Sequence, residues 1–172
     1  MSQVIKLETE IKRGLLVFMI VLVLSGITAF PIESQLEIAH DAIQYFQVDN
    51  EITKWIERVY EGVRETNARF PFISYGTDWL AFAHLMIAIA FIGPYRDPVR
   101  NVWVIEFGLI ACIAILPLAF IAGYIRGIPL YWSFLDCSFG IIGGLLLWWI
   151  YEKIGRLEVE KSLKQNQVYE IV

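Results

Sequence analysis

Both histidines of the chain stand near carboxylates at spacings that could support chemistry. His40 follows Glu37 at the E-x-x-H spacing, and Glu33 precedes Glu37 by about one helical turn. Residues at steps of three and four share one face of a helix, and E-x-x-H on a helix supplies ligands in carboxylate-rich metal bundles. Glu33, Glu37 and His40 therefore predict a site for a divalent metal ion, whose identity the pattern leaves open.

The second histidine, His84, lies inside an apolar stretch, as does Asp136. A rise of about 1.5 Å per residue places each roughly 10 Å below the outer end of its stretch. Ionisable groups inside membrane helices usually face the bundle interior and pair with one another. We therefore predict a polar pocket lined by His84 and Asp136, with Asp78 and Arg126 at its mouth. In a catalytic version, His84 or the pair acts as the general base.

Three interpretations of these groups remain open. In the first, Glu33, Glu37 and His40 hold a metal ion that activates water for hydrolysis. In the second, the polar groups form a hydrogen-bonded network that fixes helix packing and does no chemistry. In the third, His40 and His84 are the two axial ligands of a haem. The sequence leaves open whether the protein is an enzyme.

The elements that must position these groups are membrane helices. The chain has 172 residues, 57% of them hydrophobic, and a mean hydropathy of +0.56. Its apolar residues are concentrated in four stretches, and a helix needs about 20 of them to cross a bilayer. The stretches lie at about 14–30, 77–95, 101–123 and 129–151. We predict an all-α polytopic membrane protein, with four transmembrane helices in a single membrane domain over 1–172.

Lysine and arginine predict the orientation, because short cytoplasmic flanks are enriched in both. Arg13 directly precedes the first stretch, and Arg96 and Arg100 lie between the second and the third. Several bases follow the fourth stretch, beginning with Lys153. We therefore expect a bacterial inner-membrane protein with both termini and the tail 152–172 in the cytoplasm. Segment 31–76 then lies outside. The net charge of −4, with no basic cluster among aromatic residues, excludes a nucleic-acid partner.

Segment 31–76 predicts two amphipathic helices on the outer side. Apolar residues recur at helical steps in each half of the segment, which is the pattern of a helix with one apolar face. They are Leu36, Ala39, Ile43 and Phe46, and then Ile52, Trp55, Ile56, Val59 and Val63. Asn50 is the expected N-cap of the second helix. That helix should end near Arg69, because the residue before Pro71 disfavours helix.

Four short segments carry a resemblance. Residues 75–84 (YGTDWLAFAH), 93–100 (GPYRDPVR), 126–129 (RGIP) and 135–140 (LDCSFG) resemble a family of small bacterial four-helix membrane proteins whose activity is uncharacterised. The chain also resembles VanZ-like proteins through Asp78 and His84 in the second span and Asp136 and Gly140 in the last. It lacks the asparagine of that pattern, and the Asp78–His84 spacing is longer. The likeness implies a role in envelope or lipid chemistry.

These observations predict an integral membrane protein that handles a lipid or small amphipathic molecule in an outer-facing pocket. In its catalytic version the protein is a metal-assisted hydrolase. The alternative is a non-enzymatic accessory subunit of a larger membrane complex. The expected partners are membrane lipids, with a membrane-protein partner or a second copy of the chain in addition. Transport is disfavoured, because four spans without an internal repeat rarely form an alternating-access machine.

Overall fold

The computed structural model describes residues 3–169, with side chains placed for 3–166. The described residues are helical and contain no strand. The helices are α1 (Gln3–Ala29), α2 (Ile32–Phe46), α3 (Glu51–Arg69), α4 (Tyr75–Ala90), α5 (Ile92–Arg96), α6 (Val102–Arg126) and α7 (Leu130–Tyr169). A short 3-10 helix, Pro71–Ile73, precedes α4.

Four helical segments are long and apolar enough to cross a membrane. They are Gln3–Ala29, Pro71–Arg96, Val102–Arg126 and Leu130–Asn166. Each contains one of the four stretches found in the sequence, apart from Phe30, Asn101 and Pro129 at the stretch ends. The prediction of an all-helical chain with four potential transmembrane helices is therefore confirmed.

The chain groups into two compact units. The terminal unit comprises the residues up to Ile20 and those from Ile89 onward, and the central unit comprises Val21–Ala88. The terminal unit contains the first part of α1 together with α5, α6 and α7. The central unit contains the end of α1, the helices α2 and α3, and most of α4. The predicted metal ligands, His84 and Asp78 belong to the central unit, whereas Asp136 and Arg126 belong to the terminal unit.

Helices α1 and α7 both extend beyond the predicted spans. Helix α1 begins at Gln3, ahead of the predicted span start at residue 14, and Leu7 and Ile11 continue its buried stripe toward the N-terminus. The predicted tail 152–172 is also helical as far as Tyr169, with Ile154 and Leu157 buried. At about 1.5 Å per residue, the 40 residues of α7 are about twice as long as a bilayer requires. Part of each helix therefore lies beyond its apolar stretch.

The second predicted span is not one continuous helix. Helix α4 ends at Ala90, and α5 begins at Ile92. Pro94 explains the break, because a proline ring clashes with the carbonyl four residues earlier, and that residue is Ala90. The helical pattern resumes when the Tyr95 N–H donates to the Phe91 carbonyl at 3.2 Å.

Helices α2 and α3 form a hairpin in the predicted outer segment. Asn50 is the N-cap of α3, and its side chain accepts hydrogen bonds from the N–H groups of Ile52 and Thr53. Thr53 Oγ1 in turn accepts from the Asn50 N–H at 3.0 Å, which completes a capping box. The predicted N-cap and the predicted end of the helix at Arg69 are both confirmed. Phe46 departs from the predicted apolar stripe, since 70% of its surface is exposed.

We expect Asn50→Ala to destabilise the hairpin by about 1 kcal/mol, because two N–H groups of α3 lose their acceptor. Thermal unfolding followed by circular dichroism measures the change. Ser34→Ala is the control, since Ser34 is exposed on α2 and does not cap a helix. Equal melting temperatures for the two variants would contradict the role of the cap.

Candidate functional site

The Glu33 carboxylate forms a hydrogen bond with a side chain of the neighbouring helix α3. Its Oε2 accepts a hydrogen bond from Asn67 Nδ2 on α3, and Asn67 Oδ1 accepts from the Ser74 hydroxyl. This chain of side chains links α2, α3 and the start of α4. Glu37, one turn further along α2, is exposed.

His40 faces α3. Its ring stacks on Tyr60 with centroids 4.8 Å apart, and Tyr60 is 8% exposed. His40 Nδ1 lies 3.5 Å from Glu57 Oε1, an ion pair only when the imidazole is protonated. That distance does not amount to a well-formed hydrogen bond, and Nδ1 is buried without a hydrogen-bond partner. Glu57 Oε1 already accepts a hydrogen bond from Gln44 Nε2 at 2.8 Å.

The structure gives the predicted metal site no support. Among the residues that the structure describes, no group of three or more His, Cys, Asp or Glu side chains is placed to hold a metal ion. Glu33 and His40 engage partners on α3, and those contacts fit the second interpretation, a polar network that fixes helix packing. The spacing of Glu33, Glu37 and His40 aligned them on one face of α2, but the side chains that contact Glu33 and His40 come from α3.

His84 has a defined ring orientation. Its Nδ1 lies 2.8 Å from the Leu80 carbonyl oxygen, one turn earlier in α4. A carbonyl can only accept, so Nδ1 carries the proton and Nε2 is left as an acceptor. Gly26 allows α1 to approach α4 closely at this level, since a Cβ at Gly26 would lie 3.2 Å from His84 Cβ. His84 could therefore act as a base through Nε2, and the haem interpretation stays a prediction.

Asp136 and Arg126 lie in the terminal unit. Asp136 is exposed near the start of α7, and Arg126 is exposed at the last residue of α6. Helix α6 ends there because Gly127 adopts a left-handed conformation with φ of 67°. The pairing of Asp136 with His84, and the place of Arg126 at a pocket mouth, stay predictions.

Asp78 lies in a cavity whose other walls are aromatic. The cavity has a volume of about 260 Å³ and is lined by Phe30, Tyr75, Asp78, Trp79 and Phe82. The four α4 residues among these are spaced at i, i+3, i+4 and i+7, so they share one face of the helix. Phe30 follows the last residue of α1. We call this cavity the Asp78 pocket.

The aromatic rings of the Asp78 pocket contact one another edge to face. The Tyr75 and Trp79 centroids are 5.9 Å apart, and the Trp79 and Phe82 centroids are 6.0 Å apart. Asp78 is half-buried among them and makes no side-chain hydrogen bond or ion pair with a residue in the described part of the chain. Asp78 was among the predicted site residues, but its aromatic neighbours were not. Their spacing along α4 was the available signal.

Comparison with protein-family models, curated proteins and solved structures finds no match to this chain. The two resemblances noted in the sequence therefore stay predictions.

Proposed function

We propose that this is an integral membrane protein that binds the ammonium group of a lipid or another amphiphile at the outer membrane surface. The observation that carries the proposal is the Asp78 pocket, an open pocket lined by four aromatic side chains and by a carboxylate that has no side-chain partner among the described residues.

The carboxylate supports a cationic ligand. A half-buried carboxylate without a partner loses part of its hydration and gains nothing in return. A ligand ammonium supplies the missing opposite charge and, where it carries N–H groups, hydrogen bonds to the carboxylate oxygens. An anionic ligand would add repulsion at the same place.

The aromatic rings support the same ligand class. Cations bind over the faces of Trp, Tyr and Phe, and aromatic cages of this kind recognise quaternary ammonium groups. Trp79 and Tyr75 are 57% and 60% exposed, so part of each ring is accessible to a ligand. These residues also suit the membrane–water interface, where Trp and Tyr are enriched.

The size of the Asp78 pocket fits a headgroup rather than a whole lipid. Its volume of about 260 Å³ is below the range of about 300–1,000 Å³ that holds drug-sized ligands. The headgroup would occupy the pocket while an alkyl chain extends into the bilayer beside α4. The placement at the outer surface is supported by the distribution of Lys and Arg, which are enriched on the cytoplasmic side of membrane proteins. Most of the bases that flank the predicted spans lie at the ends away from Asp78.

A ligand-binding experiment tests the proposal. The full-length protein in phosphatidylglycerol nanodiscs is titrated with hexyltrimethylammonium, and saturation transfer to its N-methyl protons reports binding. We expect saturable binding above that of empty nanodiscs and none of hexyl sulfate, which has the same chain and the opposite charge. Equal responses to the two amphiphiles would contradict the proposal.

The hydrolase version of this function has weaker support, because the described residues contain no cluster of metal ligands. His84 keeps an acceptor at Nε2, which is compatible with a metal-free general base.

The alternative of an accessory subunit is supported by the exposed face of α2. Ile38 is 70% exposed and Tyr45 is 82% exposed, although the hairpin lies outside the predicted spans. Purification in a mild detergent tests this alternative: a stoichiometric protein partner that is lost in an Ile38→Ser/Tyr45→Ser variant would favour it, and a chain that purifies alone would count against it.

A further inference from the structure

We propose that the terminal unit carries a second lipid site, which binds the phosphate of an anionic phospholipid in the cytoplasmic leaflet. The site consists of four bases: Lys12 and Arg13 on α1, Arg96 at the end of α5, and Arg100 just before α6. Its ligand class differs from that of the Asp78 pocket, and the inference does not depend on that pocket.

The connection between α5 and α6 is held by side-chain hydrogen bonds, and two of the four bases lie at its ends. Asn101 Nδ2 donates to the Gly93 carbonyl at 3.2 Å and to the Asp97 carbonyl at 2.9 Å. Asp97 Oδ1 accepts from the backbone N–H of Arg100 at 3.2 Å. These bonds hold the backbone of Arg96 and Arg100 at the two ends of a short turn. Both side chains are exposed.

An aromatic contact brings α1 to this turn. Lys12 Nζ lies 5.9 Å from the centroid of the Tyr95 ring, which is within the range of a cation–π interaction. Tyr95 is the immediate neighbour of Arg96, and Lys12 is the immediate neighbour of Arg13. The contact therefore places Lys12 beside the end of α5, where Arg96 follows Tyr95.

The two acids at the start of α1 form their ion pairs with lysines of α7 rather than with these four bases, although, after Lys153, Arg13 also contributes to lowering the pKa of Glu10. Glu10 pairs with Lys153, and Glu8 pairs with Lys161 at 2.8 Å. Glu10 precedes the apolar stretch of α1, and its hydrogen bond to the Lys153 ammonium lowers the pKa of its carboxyl. Both acids of the α1 terminus are thus engaged by α7.

Within the described chain, none of the four bases forms a side-chain ion pair. Asp97 is the one acid in the turn that carries Arg96 and Arg100, so these five residues sum to a charge of about +3 at neutral pH.

An anionic phospholipid fits this cluster better than a soluble anion. Basic clusters at the cytoplasmic ends of transmembrane helices bind anionic headgroups, and arginine binds phosphate through two parallel N–H bonds. Arg13 directly precedes the apolar stretch of α1, and Arg100 nearly adjoins that of α6. A phosphate held between them would place its acyl chains along apolar helix surface, which a free phosphate cannot use.

Native mass spectrometry of the full-length protein in a non-ionic detergent tests the inference, with dioleoylphosphatidylglycerol and dioleoylphosphatidylcholine offered separately. We expect preferential retention of phosphatidylglycerol. Each of Lys12→Gln and Arg96→Gln should weaken it about fivefold, since one base near the surface contributes about 1 kcal/mol. Lys164→Gln, an exposed base further along α7, is the control and should leave binding unchanged.

Three outcomes would overturn the inference. One is equal retention of the two lipids. Another is an equal loss in the Lys164→Gln control, which would show a general charge effect. The third is full competition by inorganic phosphate at the lipid concentration, which would show a site for a soluble anion. Loss of hexyltrimethylammonium binding at the Asp78 pocket would leave all of these measurements unaffected, so the two proposals fail separately.

Discussion

Replacing Asp78 with asparagine is expected to weaken hexyltrimethylammonium binding about 5- to 150-fold, because the attraction between opposite unit charges about 5 Å apart is about 1–3 kcal/mol near a protein surface. The substitution keeps the size of the side chain and removes its charge. The four aromatic walls of the Asp78 pocket remain, so the variant should retain weak binding. Titration in nanodiscs, read through the N-methyl protons, measures the change in the dissociation constant.

Asp41→Asn is the matched control for this experiment. Asp41 is an exposed carboxylate of the same unit, on α2, and does not line the Asp78 pocket. An equal loss in both variants would mean that the net charge of the hairpin, rather than the pocket, attracts the cation. Trp79→Leu adds a second check, because loss of one cation–π contact should weaken binding about 2- to 30-fold, corresponding to about 0.5–2 kcal/mol.

Replacing Gly26 with alanine is expected to destabilise the protein by about 1–3 kcal/mol, the usual cost of adding a methyl group to a tightly packed site. A Cβ at this position would lie 2.9 Å from the Ala81 carbonyl oxygen and 3.1 Å from Leu85 Cδ2. The carbonyl oxygen belongs to the backbone of α4 and cannot rotate away as a side chain can. Helix α4 must therefore move away from the end of α1.

Gly62→Ala carries the same chemical change in the same unit and should have the opposite effect. Gly62 lies within α3, and a Cβ there would meet nothing within 4 Å. Alanine should stabilise this helix by about 0.5–1 kcal/mol, because glycine loses more backbone entropy on folding. Thermal unfolding of both variants in detergent gives the comparison. A Gly26→Ala melting temperature at or above that of the wild type would contradict the close approach of α1 and α4.

The sequence predicts where a helix begins or ends when a few neighbouring residues decide that boundary. Asn50 and Thr53 are three residues apart, and their capping box follows from that spacing. The end of α3 follows from Pro71, two residues beyond Arg69. The break after Ala90 was equally local, since Pro94 disrupts the carbonyl four residues earlier, but the apolar stretch 77–95 concealed it. Hydropathy reports the composition of a stretch and not its backbone bonds.

The side-chain partners were not predictable in this way. The partner of Glu33 is Asn67, 34 residues later, and the partner of Glu10 is Lys153, 143 residues later. The E-x-x-H spacing placed Glu33, Glu37 and His40 on one face of α2, but spacing carries no information about the neighbouring helix. That helix presents Asn67, which donates a hydrogen bond to Glu33, and Tyr60, which stacks on His40.

The sequence by itself determined that this chain is helical and that four of its segments can span a membrane. Both follow from apolar content and from contacts within about one helical turn. Only the tertiary structure decided which helices approach closely at Gly26, where α1 and α7 continue beyond their apolar stretches, and what surrounds Asp78. Those features depend on packing between segments far apart in the chain, and a pattern within one segment cannot specify the surface that another segment presents to it.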